Sequence, residues 1–334
     1  MRSAAPTLEA VAKEANVSRA TVSRVVNGSP KVSPEVVATV NAAIAKLNYV
    51  PNRAARSLAS RTSGAIALIV PEDTTRFFGD PYFAAIVQGI TRRLDESDYL
   101  LNLLVASTDP GHKTMRYLRS GIVDGALVVS HHEGDELQHA TGMTVPLVFG
   151  GRPSSEFDDH IFVDVDNVEG GQLGTRHLVD IGRRRIGTIT GPLDMPAGID
   201  RLAGFRRAME AAELPVDAVE TADFTAAGAV AATRRLLDRV PDLDGLFVAS
   251  DLMATGVLGV LRERGRSVPG DVAVVGFDDS PAATSSAIPL TTVHQPSEQM
   301  GFEMADLLLR DLSGDADVPR RNIMPTRLVR RASA

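Results

Sequence analysis

The sequence contains neither cysteine nor tryptophan, and only 4% of its 334 residues are aromatic. Without cysteine there are no disulfides, thiol catalysis or cysteine-ligated metals, which fits a reducing compartment. No apolar run is long enough to span a bilayer, and residues 1–18 hold no apolar segment of the kind found in secretory signals. These absences predict a cytoplasmic protein, and the chain length predicts two or three domains.

Positive charge is concentrated at the start of the chain. Residues 1–63 hold nine lysines and arginines against three glutamates, whereas the whole chain carries a net charge of −7. A basic head on an acidic body favours contact between the head and a polyanion. Chance clustering of surface charges is the alternative explanation.

Three helices are predicted within this head. Thr7 can cap a helix LEAVAKEA, and Ser18 can cap a second helix, RATVSRVV, which ends at Asn27-Gly28. Pro34 suits the first turn of a third helix, PEVVATVNAAIAKLN. Two short helices joined by a tight turn, with a basic and polar outer face on the second, describe a helix-turn-helix.

The outer face of the second helix has the chemistry of a DNA reader. Arginines can reach guanine edges in the major groove, small residues permit close approach, and hydroxyls can hold phosphates. A helical hairpin that packed against the rest of the protein would not need such a face. The candidate DNA-binding residues of this region are Thr7, Ser18, Arg19, Ala20, Thr21, Ser23, Arg24 and Asn27.

The stretch TLEAVAKEANVSRATVSRVVNGSPKVSPEVVATVNAAIAKLNYVPNRAARSLAS resembles the DNA-binding head of LacI-type transcriptional repressors along its whole length. The resemblance implies a helix-turn-helix domain over residues 1–51 and a hinge helix or linker over residues 52–63. In that family the hinge leucine wedges between base pairs in the minor groove, which kinks the duplex. The residues at the matching hinge positions are Asn52, Ala55, Arg56 and Leu58. A buried linker leucine is the alternative for Leu58.

Beyond residue 64, short apolar runs such as AIALIV, GALVVS and GLFVAS alternate with amphipathic helical segments. This pattern predicts an α/β fold with parallel strands, and the number of strands suits two sheets. Segments including DVDNVEGGQLGTRHLVDIG and LFVASDLMATGVLGVLRERG resemble the periplasmic-binding-protein-like core of LacI-type regulators.

That resemblance implies an effector-binding core over residues 64–334 with two parallel-sheet lobes. The expected first lobe covers about 64–163 plus 293–323, and the second covers about 164–292 plus 324–334. The chain is expected to cross between the lobes near 163–165, 290–295 and 322–325.

Ligands of open α/β sheets bind at the carboxyl ends of the strands. The resemblance implies effector contacts at the following residues: Tyr82, Phe83, Arg201, Phe224, Ser250 and Asp278. Phe77 and Phe78 of the mouth loop RFFGDPYF, together with Asp251, are further candidates. Core packing is the alternative for each aromatic residue, and a helix cap is the alternative for Asp251.

The stretch VPEDTTRFFGDPYFAAIVQGI resembles actinobacterial repressors that answer to cello-oligosaccharides or other β-glucosides. Met195 and Ala197 stand where purine-binding members carry polar groups, which argues against a nucleobase. The cluster HHEGDELQH lacks the spacing His-Glu-x-x-His, so a solvated loop is the preferred interpretation. We therefore predict a small carbohydrate effector and neither a cofactor nor a metal.

These features predict a ligand-responsive repressor that binds a near-palindromic operator as a homodimer and releases it when effector enters the cleft. The alternative is a sugar-binding or sugar-processing protein of the same core fold without regulatory DNA binding. A transport protein would need a signal sequence, and an enzyme would need a catalytic set such as the serine elbow Gly-x-Ser-x-Gly. Neither is present in the sequence, so no enzymatic activity is predicted.

Overall fold

The computed structural model describes residues 6–26, 29–49, 62–107, 109, 111–135, 137, 143, 145–153 and 160–334. The chain divides into two compact units, Met1–Gly64 and Ala65–Ala334. Within the described residues, no helix is long and apolar enough to cross a membrane.

The described residues of the first unit form three helices: α1 (Leu8–Glu14), α2 (Arg19–Val26) and α3 (Pro34–Leu47). Thr7 caps α1 by accepting a hydrogen bond from the Ala10 amide at 3.3 Å. Apolar side chains spaced at helical intervals pack together between the three helices. The buried members of this small core are Val11, Ala12, Ala15, Val22, Val40, Ala43 and Tyr49.

The described part of the second unit forms two six-stranded sheets. The strands of the first sheet are β1 (Ala65–Val70), β2 (Leu100–Val105), β3 (Gly125–Val129), β4 (Leu147–Gly150), β5 (Ile161–Val165) and β11 (Arg321–Met324). They all run parallel, in the order β11-β5-β4-β3-β1-β2. The helices of this lobe are α4 (Thr74–Gly79), α5 (Pro81–Leu94), α6 (Lys113–Arg119) and α12 (Ser297–Leu312).

The strands of the second sheet are β6 (Ile186–Thr190), β7 (Val219–Thr221), β8 (Gly245–Val248), β9 (Ala273–Asp278), β10 (Thr291–His294) and β12 (Arg327–Val329). Their order is β12-β10-β9-β8-β6-β7, and they are parallel except for the antiparallel pair β10 and β12. The helices of this lobe are α7 (Asn167–Asp180), α8 (Pro196–Ala211), α9 (Ala226–Arg239), α10 (Asp251–Glu263) and α11 (Pro281–Ser285).

The chain passes between the lobes three times. It leaves the first sheet after β5, returns to the first lobe between β10 and α12, and leaves again between β11 and β12. Helix α12 packs closely on α5, since a Cβ at Gly301 would lie 2.1 Å from the Ile86 carbonyl oxygen. Residues at or just after the carboxyl ends of β3, β4, β5, β8 and β9 line the space between the two lobes.

Candidate functional site

Helix α2 presents a charged and polar face to solvent. Arg19, Ala20 and Arg24 are exposed, whereas Val22 on the opposite face is completely buried. Thr21 and Ser23 are partly exposed. The helix is therefore anchored by its apolar side, and its outer face is available to a polyanion.

Three of the predicted DNA-binding residues, Ser18, Arg19 and Thr21, have local structural partners. Ser18 Oγ accepts a hydrogen bond from the Thr21 amide at 3.1 Å and lies 2.9 Å from the Thr21 hydroxyl. Arg19 Nε lies 3.2 Å from a carboxylate oxygen of Glu9, although both side chains are largely exposed. The predicted DNA contacts Asn27, Asn52, Ala55, Arg56 and Leu58 lie outside the described residues.

The two lobes enclose a cavity with an empty volume of about 640 Å³, open solvent included. Five predicted effector residues line it: Tyr82, Arg201, Phe224, Ser250 and Asp278. Further lining side chains were not predicted: Arg76, Asp80, Ser130, His131, Asp164, Asn167, Gln295 and Met300. The cavity thus combines a few polar groups with apolar walls, as small-molecule sites do.

Arg201 is the central group of this cavity. Helices α7 and α8 pack so closely that a Cβ at Gly171 would lie 2.4 Å from the Arg201 carbonyl oxygen. The glycine-rich run EGGQLG therefore serves helix packing, and that packing sets the position of Arg201. The guanidinium lies 3.6 Å from the centre of the Phe277 ring, a cation–π contact that supports its orientation.

Three protein groups accept hydrogen bonds from the buried Arg201 guanidinium. They are Asn167 Oδ1 at 2.9 Å, the Ala249 carbonyl at 2.5 Å and Gln295 Oε1 at 2.8 Å. Arg201 Nη1 also lies 3.5 Å from Asp278 Oδ1. A planar guanidinium held in this way can donate hydrogen bonds to a pair of hydroxyl groups.

Asp278 has an unusual backbone conformation and a raised pKa. Its φ is 109° and that of Asp279 is 58°, conformations that cost non-glycine residues about 1–3 kcal/mol each. Burial raises the pKa of Asp278 well above its ordinary value, although Arg201 opposes that effect. Backbone strain and a penalised charge at one position are typical of binding sites.

Asp164 lies on the opposite lobe of the same cavity. Its carboxylate accepts hydrogen bonds from the amides of Arg152 and Val165 at 2.9 and 2.8 Å and from Asn167 Nδ2 at 3.0 Å. Burial nevertheless raises its pKa to about 6. Because Asn167 also binds Arg201, Asp164 and Arg201 belong to one connected network.

Arg76 and Phe224 meet across the cavity. The Arg76 guanidinium lies 5.2 Å from the centre of the Phe224 ring, and Arg201 lies 5.9 Å from it. Phe224 adopts a φ of 61°, which places its ring in this position. Arg76 forms an ion pair with Glu72, while its buried Nε has no hydrogen-bond partner among the described residues. Other atoms of the Arg76 side chain line the cavity.

Two ion pairs join the lobes beside the cavity. Arg152 binds both carboxylate oxygens of Asp200, with the shortest distance at 2.9 Å. His132 Nδ1 lies 2.9 Å from Asp194 Oδ2, and its Nε2 lies 3.3 Å from Glu72 Oε1. The hydrogen bond with Glu72 raises the pKa of His132 to about 9 against the opposing effect of burial. Both pairs hold the two lobes together beside the cavity.

Four predicted effector residues do not line this cavity. Phe77 and Phe83 are buried in the core of the first lobe with their ring centres 5.3 Å apart, and Phe78 is 78% exposed. Asp251 is completely buried and accepts hydrogen bonds from Thr292 Oγ1 at 2.6 Å and the Ser280 amide at 2.8 Å. Core packing accounts for Phe77 and Phe83, and Asp251 braces the loop after β9.

The helix-cap interpretation of Asp251 is wrong, because Ser250 is the N-cap of α10. Ser250 Oγ accepts a hydrogen bond from the Met253 amide at 3.2 Å. Asp251 is instead the first residue of the helix. Ser250 therefore both caps α10 and lines the cavity.

The solvated-loop interpretation of HHEGDELQH is wrong for its first residue. His131 is 2% exposed, its ring centre lies 5.4 Å from that of Phe149, and burial lowers its pKa to about 4. No group of three metal-ligating side chains occurs within the part of the chain that the structure describes. Ser130 and His131 directly follow β3, so the rule that ligands bind at strand ends could have found both.

A helix-turn-helix unit and a two-lobed α/β unit with a ligand-sized cavity define a DNA-binding transcriptional regulator. Residues 7–52 match the family described as bacterial regulatory proteins, lacI family, and residues 175–334 match the periplasmic binding protein-like domain. The chain is 46% identical over 333 residues to the HTH-type transcriptional regulator CelR of Thermobifida fusca, covering 98% of each chain.

Two solved structures have the same architecture. A transcriptional regulator CelR–cellobiose complex matches with a TM-score of 0.79 and 44% identity, covering 98% of this chain and 100% of that one. A lac repressor dimer bound to operator and the anti-inducer ONPF matches with a TM-score of 0.86 and 30% identity, covering 99% of both. The chain belongs to the lacI family of bacterial regulatory proteins. It is a transcriptional regulator and not an enzyme, and the predicted fold class is confirmed.

Proposed function

We propose that this regulator represses transcription as a homodimer on a near-palindromic operator and that a small carbohydrate in the interlobe cavity releases it. Residues 1–51 are assigned to DNA binding, 52–63 to the hinge and 64–334 to effector binding. The exposed face of α2, with Arg19, Ala20 and Arg24, supports the first assignment. As a regulator of transcription it would act in the cytoplasm.

One observation carries the proposed effector class. The buried Arg201 guanidinium and the Asp278 carboxyl lie 3.5 Å apart in a cavity that also presents Asn167, Gln295 and the aromatic side chain of Phe224. Paired donors and acceptors suit vicinal hydroxyl groups, and an aromatic wall suits a sugar ring. A cello-oligosaccharide or another β-glucoside is the proposed effector, supported by 44% identity to the chain of the CelR–cellobiose complex.

An exposed apolar edge supports association of two copies. Strand β2 ends the first sheet, and its Leu100 and Leu103 are 52% and 45% exposed. An unpaired edge strand that carries large apolar side chains is a surface that proteins usually cover. A lac repressor of the same fold is described as a dimer.

Thermal melting of the purified full chain against a panel of sugars tests the effector class. A compound that binds the folded state raises the melting temperature by mass action, by an amount that grows with its concentration. We expect cellobiose and cellotriose to raise it, while maltose, lactose and purines do not. Stabilisation by purines alone would overturn the carbohydrate assignment.

A further inference from the structure

The polar groups that line the interlobe cavity are almost closed off from solvent. Arg201 is 5% exposed, and Asp164, Asn167 and Ser250 are buried as well. These groups come from both lobes, so a ligand reaches them while the lobes are apart and is enclosed when the lobes come together. The contacts that join the lobes therefore control access to the cavity.

The covalent connections between the lobes lie at one side of both sheets. In the first sheet the chain leaves from β5 and β11, the first two strands of the order β11-β5-β4-β3-β1-β2. In the second sheet the crossovers join β10 and β12, again the first two strands, and α7 packs on both of them. A rotation about these crossovers moves the loops after the distant strands β1, β3 and β6 apart the most.

The two lobes contact each other again at those distant loops. His132 follows β3, and its Nδ1 lies 2.9 Å from Oδ2 of Asp194, which follows β6. The Glu133 amide donates a hydrogen bond to the Asp194 carbonyl at 2.8 Å. Glu72 follows β1 and lies 3.3 Å from the other ring nitrogen of His132. Since the pKa of His132 is about 9, the contact at neutral pH is an ion pair beside a backbone hydrogen bond.

These contacts lie next to the cavity rather than in its wall. Ser130 and His131 line the cavity and immediately precede His132 in the chain, while Met195 lines it and immediately follows Asp194. The described residues that line the cavity do not include His132 or Asp194. Breaking their contact therefore changes how easily the loops separate without removing a group that faces the ligand.

We propose that His132 and Asp194, with Glu72 behind them, form a gate through which the effector enters and leaves the interlobe cavity. The proposal rests on the proposed effector site and adds the residues that control access to it. The gate lies on the side away from the crossovers, and its contacts separate each time a ligand passes. Because it holds the lobes together with and without ligand, it sets the rates of binding and release rather than the affinity.

Stopped-flow fluorescence of the full chain with cellobiose tests the gate. A dye on Ile199→Cys, at an exposed position of α8, reports binding, since the chain has no cysteine of its own. Asp194→Ala removes the carboxylate beside His132, so the association and dissociation rates should both rise about fivefold while Kd stays within about twofold. Asp217→Ala is the matched control, because Asp217 is similarly exposed and pairs with Arg185 inside the second lobe. It should change neither rate.

Two further variants separate the gate from a local distortion at position 194. Asp194→Asn keeps an oxygen that can accept a hydrogen bond from His132, so its rates should lie between those of the wild type and Asp194→Ala. His132→Cys combined with Asp194→Cys and linked by a short bifunctional thiol reagent should prevent uptake of labelled cellobiose, whereas the unlinked double variant should take it up. Thermal melting without sugar establishes that each variant is folded.

Hydrogen exchange without sugar measures the same opening independently of the effector. Exchange of the peptide that contains the Glu133 amide, followed by mass spectrometry, should be about fivefold faster in Asp194→Ala. If that variant weakens binding with an unchanged association rate, or changes neither rate, the gate is overturned and the effector site stands. If the wild type binds no sugar, the proposed effector fails. Faster exchange in Asp194→Ala would then still support the gate, and unchanged exchange would overturn it.

Discussion

Arginines in the two units of this protein have opposite environments. Arg24 in the helical unit is exposed, whereas Arg201 in the two-lobed unit is 5% exposed and donates three hydrogen bonds to other residues. An exposed arginine gains its binding energy from an external anion and is sensitive to salt. A buried arginine already has partners, so a ligand must fit a network that exists before it arrives.

The largest expected effect is the loss of folding stability when the buried Arg201 is replaced. Arg201→Ala removes the shared donor of three buried acceptors, Asn167, the Ala249 carbonyl and Gln295, and the unsatisfied acceptors together cost about 3–5 kcal/mol. Urea denaturation should show a loss of this size in the unfolding of the core. Arg24→Ala is the matched control and should stay within about 0.5 kcal/mol of the wild type. A loss below about 1 kcal/mol for Arg201→Ala would mean that these three hydrogen bonds contribute little to the stability of the core.

For operator binding, we expect the exposed arginine to matter more than the buried one. Arg24→Ala should weaken binding to an operator fragment about tenfold to a hundredfold, the value of one good base contact. Fluorescence anisotropy with an operator selected from random DNA measures the change, and sugar binding should be unaffected. An equal loss of affinity for unrelated DNA would show that Arg24 contacts only the backbone.

A pH dependence is expected from His132, whose pKa is raised chiefly by its hydrogen bond with Glu72 and further by Asp194 on the other lobe. The pKa of His132 is about 9 in the folded protein against an ordinary value of 6.5. Its contribution to stability is therefore complete below pH 6.5 and is lost as the pH rises through 9. Because Asp194 is more than half exposed, solvent reduces the loss to about 1–2 kcal/mol.

Asp194→Asn isolates the part of this contribution that comes from the other lobe, because Glu72 stays beside His132. The difference in unfolding free energy between the wild type and this variant should be largest near pH 6 and should shrink towards pH 9 and above. Denaturant titrations at several pH values measure it. A difference that does not change with pH would contradict the assignment to His132.

Within the cavity, the smallest expected change in stability is at Asp278. Burial raises the pKa of this carboxyl well above its ordinary value, so its charged form contributes little that an isosteric amide would lose. Asp278→Asn should therefore alter stability by less than about 1 kcal/mol. Operator binding should persist while release by effector fails, which an anisotropy titration with cellobiose would show. Normal release would remove Asp278 from the effector site.

The helical unit could be predicted closely from local sequence. The apolar spacing of its helices and the caps at Thr7 and Ser18 depend on residues within one or two turns. The cavity was predicted less completely, because Asp164, Asn167 and His131 resemble ordinary strand-end or loop residues until the two lobes meet. Nothing in the local sequence indicates that Gln295 accepts a hydrogen bond from Arg201.

The sequence by itself determined the parallel strands, the helix-turn-helix and the family, since periodicity and local caps encode them within short segments. Only the tertiary structure decided which residues share a cavity. Phe83 was expected there and packs in the core, while Arg76 and Asp164 reach the cavity from elements far apart in the chain. The physical reason is that burial and partner choice depend on crossovers such as β10 to α12, which join groups that no local pattern relates.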